Sequence, residues 1–361
     1  MGSVGSPVLW GLWAFCLVRV EYQTARKLGE QLLQIAQTAQ DPALLVEAHF
    51  TFGITLASQA EFPQARVHLE QGLACYDPQQ QHTLTFRYGG QDPGATCGCF
   101  AAWVLWQLGY PEQARVRIRE ALTLVQELSH PPSLAFAHGM AAYYHQFCRE
   151  HQNVQEQTEA AIQLCTEHKI GFWLTWSTIL HGWVRGVQGQ AEEGSAEIRQ
   201  GLANMRAAHA EFHRPCQLAL LAEVHWKGGW AEEGLTLLAE SQATIADTGE
   251  RYYEAEVYRL KGELTLEKFK ASPELSRRVQ GSESNGEEEA EACFHKAIAT
   301  AQKQQAKSWE LRAAMSLARL WQQQGKIAEA RELLAPIYDW FTEGFDTADL
   351  QEAKALLAEL S

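Results

Sequence analysis

Basic residues are scarce in this chain: 30 Lys and Arg stand against 44 Asp and Glu, a formal net charge of −14. With no cationic excess to neutralise phosphates, nucleic acid is excluded as the expected partner. Proline is scarce too, at 11 in 361 residues. Ala, Leu, Glu and Gln dominate instead, which favours an all-α chain. Long apolar runs are missing. The nearest is Val8 to Val18, short of the roughly 20 residues that cross a bilayer and without the basic segment of a secretory leader. The expectation is no membrane partner and a cytoplasmic location. None of the eight cysteines forms a CxxC pair, and only Cys97 and Cys99 lie close together, so neither a disulfide framework nor a zinc site is expected.

Catalytic motifs are absent as well. The chain has no P-loop, no G-x-S-x-G elbow and no H-E-x-x-H helix, the patterns that cradle phosphate, expose a nucleophilic serine or hold catalytic zinc. His209 and His213 share a helix-compatible spacing but lack a third ligand. No cofactor, metal or catalytic residue is expected, and the chain reads as a non-enzyme. One segment keeps an enzyme alternative open. Tyr88-Gly89-Gly90-Gln91-Asp92-Pro93-Gly94, with His82 nearby, is rigid turn chemistry. Tyr88, Gly90 and Asp92 there either clamp a ligand or form a structural loop.

What the chain does contain is a repeat. Gly109-Tyr110-Pro111-Glu112-Gln113-Ala114 is echoed by Ala60 to Ala65, Gly189 to Gly194, Gly229 to Gly234 and Gly325 to Ala330. Each phrase sits between two stretches of helical apolar spacing, with Gly at a helix end and a small residue early in the next helix. Aligning the small residue gives eight units, at Ala25, Ala65, Ala114, Thr158, Gly194, Gly234, Ala290 and Ala330. The fourth is the weakest, because its turn, placed at His151 to Val154, has no Gly. The expected organisation is repeats 1 to 6 and the first helix of repeat 7 over 1–268, and a polar, disordered or mobile insertion over 269–289. The second helix of repeat 7, repeat 8 and a capping helix follow over 290–361. Asp346 is the expected N-cap of that last helix, with Asp349 as its capping-box acid. Trp10, Leu12, Trp13 and Phe15 are expected to lie exposed on the first unit, as on the C-terminal piece of something longer, or on a truncated fragment with no independent role.

The pattern resembles the tetratricopeptide repeat, so the implied fold is a right-handed α-solenoid of about eight helix-turn-helix units with a C-terminal capping helix. A HEAT or armadillo solenoid is the rival. In a tetratricopeptide array the first helix of each unit lines the concave face. Transferring that register places Trp103, Trp106, Tyr143, Phe147, Trp176, Trp183 and Trp226 there, with Trp10, Trp13 and Phe50 earlier in the chain. Arg259, Glu263, Arg312 and Arg319 follow towards the C-terminus. Two outcomes stay open: an aromatic groove for an apolar peptide carrying an acidic group, or core between stacked repeats.

Longer phrases carry a second resemblance. Trp10 to Phe15, Tyr88 to Gly94, Tyr258 to Leu264, Ala306 to Trp321 and Ala335 to Leu357 are similar to the C-terminal region of large bacterial signalling proteins. In these a class III adenylate/guanylate cyclase or regulatory domain precedes an AAA-type ATPase and then tetratricopeptide repeats. The resemblance implies a non-catalytic scaffold or sensor. Its partner would be a protein, peptide or small effector, or the upstream ATPase and cyclase domains of the same polypeptide.

Overall fold

The computed structural model describes residues 5–81, 85, 88–271 and 282–361. Among them every regular element is a helix. The helices pair in sequence: α1 (Gly5–Val18) with α2 (Tyr22–Ala39), α3 (Pro42–Ser58) with α4 (Phe62–Cys75), and α5 (Pro93–Gln107) with α6 (Pro111–Leu128). Next come α7 (Pro131–Phe147) with α8 (His151–His168), α9 (Gly171–Val187) with α10 (Ala191–Ala207), and α11 (Arg214–Lys227) with α12 (Ala231–Thr248). The last pairs are α13 (Glu254–Ala271) with α14 (Ser282–Gln304) and α15 (Lys307–Gln323) with α16 (Ile327–Tyr338), before α17 (Ala348–Glu359) caps the array.

Local chemistry sets these boundaries. Pro42, Pro93, Pro111 and Pro131 open their helices, where a missing N–H costs nothing. Asp41 and Asp92 cap α3 and α5 with carboxylate oxygens. Within each unit whose turn lies among the described residues, the chain reverses through one left-handed residue, and at Gly109, Gly189, Gly229 and Gly325 a glycine takes it freely. Unit four makes the same turn with Arg149 at φ 62°. The turn therefore lies before His151, where α8 already begins, and not over His151 to Val154.

All eight aligned small residues sit in second helices and are buried. The reason is clearest at Gly194, where a Cβ would lie 2.4 Å from the Gly182 carbonyl oxygen and 2.7 Å from the Gly186 nitrogen. The paired backbones touch there and leave no room for a side chain.

The solenoid winds until its turns meet, with the first helices of units one to three reaching the unit five places on and that of unit four reaching unit eight. The Val18 carbonyl at the end of unit one accepts from the Glu211 and Phe212 N–H groups entering unit six, at 2.9 and 3.2 Å. The Ser58 carbonyl of unit two accepts from Arg251 N–H entering unit seven at 2.9 Å. The Trp106 carbonyl of unit three accepts from the Ser308 hydroxyl of unit eight, and the Phe147 carbonyl of unit four from Arg312. This five-unit closure folds the concave face onto itself. Trp103 packs edge-on to Tyr252 at 4.7 Å and Trp106 edge-on to Trp309 at 4.7 Å, while Tyr143 meets Trp176 at 4.8 Å.

Three expectations about the chain ends need correction. Trp13 is buried, its indole donating to Thr55 at 2.9 Å, and Trp10 donates to Glu47 at 3.0 Å. Among those four residues only Leu12 and Phe15 are strongly exposed. Thr347, not Asp346, occupies the N-cap position of α17. Asp346 pairs instead with Arg115, and Asp349 with Arg149 and Arg312, because the cap is docked on units three and four. Of the expected insertion, residues 272–281 lie outside the described residues, and helix extends to Ala271 before them and from Ser282 after them.

Candidate functional site

Closure leaves a cavity of about 270 Å³ on the concave side of units four to eight. Its walls come from the last turns of α7, α9 and α11, from the inner faces of α13 and α15, and from α17. Six of the residues assigned to the inner face by register converge on it: Trp183, Trp226, Arg259, Glu263, Arg312 and Arg319. Five others, Trp103, Trp106, Tyr143, Phe147 and Trp176, are buried in the closed centre of the superhelix. The register placed them on the inner face. It says nothing of the pitch, and the pitch decides which part of that face stays open.

One wall is aromatic. Trp183 lies beneath His151, edge-on at 5.4 Å, and its indole N–H donates to Glu223 at 2.7 Å. Trp226 stands beside it under the Lys227 ammonium, 4.7 Å from the ring centre. Burial, then the Arg149 and Lys227 charges, pushes His151 down from its ordinary pKa, so it is neutral near pH 7. Burial, reinforced by Glu256 and opposed by the Trp183 donor, raises the Glu223 carboxyl.

The floor is ionic and nearly saturated. Arg259 forks onto both Glu256 oxygens at 2.7 Å, and reaches Glu263 at 3.2 Å. Ser316 donates to the same Glu263 at 2.6 Å. Arg312 donates to Asp349 at 2.8 Å, with its guanidinium 5.0 Å from the ring centres of both Trp106 and Trp309. Arg149 bonds Asp349 and Glu352, and Arg319 bonds Glu352 at 2.9 Å. These arginines lock the cap onto the repeats. Arg312 is buried, Arg149 and Arg319 are partly exposed at the rim, and their shared carboxylates tie them into a charged base.

Gln146, Arg149, Glu223, Lys227 and Glu352 were not singled out from the sequence. Two of them follow the same register: Gln146 lies one helical turn beyond Tyr143, and Glu223 one turn before Trp226. Arg149 and Glu352 enter only through closure and carry no local signature.

Asp92 caps α5, accepts from the Tyr76 hydroxyl at 2.8 Å, and its N–H donates to Ser133 at 2.8 Å. It is buried, as is Tyr88, and a Cβ on neighbouring Gly89 would strike the Trp10 ring. Gly90 holds a left-handed turn at φ 77°. Here the segment is packed against the first unit. His82 lies outside the described residues. No group of three or more candidate metal ligands occurs among the described residues, and no described helix is long and apolar enough to cross a membrane.

No family model matches the chain. A curated relative is the uncharacterized protein R02095 of Rhizobium meliloti (strain 1021), 20% identical over 288 residues, covering 78% of this chain and 27% of that protein. The chain thus spans about a quarter of that relative's length. A Rap protein solved with competence and sporulation factor superposes with a TM-score of 0.52 at 12% identity, over 99% of this chain and 100% of that one. A monomeric mutant of IFIT1 solved with Gppp-AAAA gives 0.52 at 13% identity, over 98% and 76%. Both are tetratricopeptide-like helical-repeat proteins, and the fold here is of that kind. The IFIT1 structure holds a nucleotide ligand, so exclusion of nucleic acid by net charge has no support from the fold: local groups, not the sum, decide binding.

Proposed function

We propose that the chain is a non-catalytic repeat sensor that binds a protein or peptide partner in the cavity of units four to eight. In this proposal it is the regulatory C-terminal region of a longer signalling polypeptide of the cyclase and ATPase kind. The observation that carries the first part is convergence. Residues from five successive units and the cap, up to 206 positions apart (352 − 146), close one concave cavity with an aromatic wall and a rigid ionic base. Such a combination suits an extended ligand, with aromatic anchors for affinity and fixed charges for register. Support for the second part is the set of phrases from Trp10 to Phe15 through Ala335 to Leu357.

A displayed random-peptide library panned on the purified chain tests the binding. Enriched peptides should lose at least tenfold in affinity against Trp226→Ala, with no nucleotide turnover by the chain alone. Turnover, or peptides indifferent to Trp226, would overturn it. The signalling context is tested on the full-length polypeptide, whose nucleotide turnover should change when a selected peptide is added.

A further inference from the structure

Which ligand the cavity takes depends on which of its groups are still unfilled. Its guanidinium groups are all engaged: Arg259 by Glu256 and Glu263, Arg312 by Asp349 and the Phe147 carbonyl, Arg149 and Arg319 by Glu352. They offer little to an incoming acid. The acceptors are another matter. Gln146 is only 3% exposed and lines the cavity, yet its Oε1 has no hydrogen-bond partner; its amide nitrogen reaches only the Tyr253 hydroxyl, at 3.4 Å. The amide nitrogen has the Tyr253 partner, so the end left over is the acceptor. Glu223 also lines the cavity and uses only Oε2 for the Trp183 indole, so its carboxyl keeps acceptor capacity. A buried acceptor without a donor is costly, and it is cheapest to satisfy with a charged one.

We propose that the cavity receives a primary ammonium group, seated between Glu223 and Gln146 against the Trp183 indole. The aromatic wall contributes by orientation, because the Trp183 indole N–H fixes the Glu223 carboxyl at the cavity. Lys227, whose ammonium has no carboxylate partner among the described residues, stands at the rim over Trp226. It repels a second cation there and favours a ligand whose amine is followed by an acidic or neutral group. The occupant is a lysine side chain or a free N-terminus of a peptide. The acidic group expected from the sequence is thereby moved from the base to the rim. The peptide source rests on the function proposed above; the ammonium chemistry does not.

Two probes separate the two. The first is n-butylamine, titrated by calorimetry against the full chain, with n-butanol as the neutral control. The second is the set of library-selected peptides, each compared with its fully acetylated form. Butylamine should bind and butanol should not. Selected peptides should lose at least tenfold on acetylation of one amine, and both amine-dependent signals should drop at least tenfold in Glu223→Gln. That substitution keeps an acceptor for the Trp183 indole, so the fold is retained, which circular dichroism verifies. Gln146→Leu, nearly isosteric, should weaken amine binding without abolishing it. Peptides that bind equally well when acetylated would overturn the ammonium proposal while leaving the peptide site standing. Butylamine binding lost in Glu223→Gln, with no peptide selected, would uphold the ammonium pocket and overturn the peptide source. Absence of both overturns both.

Discussion

Arg312 donates to the main-chain carbonyl of Phe147, 165 residues earlier in the chain. That bond joins unit eight to unit four, and the same guanidinium holds Asp349 of the cap and lies beside Trp106 and Trp309. Arg312 and Asp349 are 7% and 11% exposed. Replacing the arginine strands a shielded carboxylate and a buried carbonyl. Arg312→Met should therefore destabilise the chain by about 3–5 kcal/mol. Arg312→Lys should recover little, because one ammonium nitrogen lacks the guanidinium's span, in which Nε meets Asp349 and Nη2 meets the Phe147 carbonyl. Urea denaturation measures both; loss of under 1 kcal/mol in either would mean the seam is not held there.

Glycines in this chain are not equivalent. Gly194→Ala forces a methyl against the backbone of Gly182 and Gly186, where no side chain can move aside, and should cost about 1–3 kcal/mol or more. Gly11 lies in α1, and a methyl added there would meet nothing within 4 Å. Gly11→Ala should stabilise, by up to about 1 kcal/mol, through helix propensity. Thermal melts of the two variants should move in opposite directions.

Stability should fall between pH 6.5 and 8. Glu47 and Glu250 are buried, and burial raises each carboxyl to about 8, against the Trp10 and His213 donors respectively. Each is protonated in the folded state and ionised when unfolded across that window, so the folded chain binds more protons and loses stability as pH rises. The slope is at most about 1.4 kcal/mol per pH unit for each group. Below pH 6.5 two histidines oppose the trend. Burial lowers His49 to about 4, with His68 adding, and burial drives His213 well below its ordinary value. Their unfolded forms take up protons first, which offsets the two carboxyls between about pH 4.5 and 6.5. Denaturation midpoints should thus stay level across that range and fall above about pH 6.5, and Glu47→Gln with Glu250→Gln should flatten the alkaline side.

Much of this fold is legible in the sequence because its determinants are local. A small residue is needed wherever two paired helices cross, and a left-handed residue wherever the chain reverses within a unit. Both recur at intervals that periodicity exposes. Arg149 hid its turn because a non-glycine residue took the left-handed position. Superhelical closure is not legible. It is made by Val18 with Glu211, Ser58 with Arg251, and Phe147 with Arg312, contacts whose acceptors, and in the first two pairs whose donors, are main-chain groups any residue supplies. For the same reason the register brought Trp103 and Trp106 to the inner face without revealing that Tyr252 and Trp309 would cover them. Nor could it show that Trp183 and Trp226 would line the cavity that closure leaves.

Fluorine NMR of the chain labelled with 5-fluorotryptophan, with and without a library-selected peptide, tests the cavity as the binding site most directly. The resonances of Trp183 and Trp226, assigned through Trp→Phe variants, should shift on titration, while that of buried Trp13 on the first unit stays fixed. A peptide that binds while leaving Trp183 and Trp226 unmoved would contradict it.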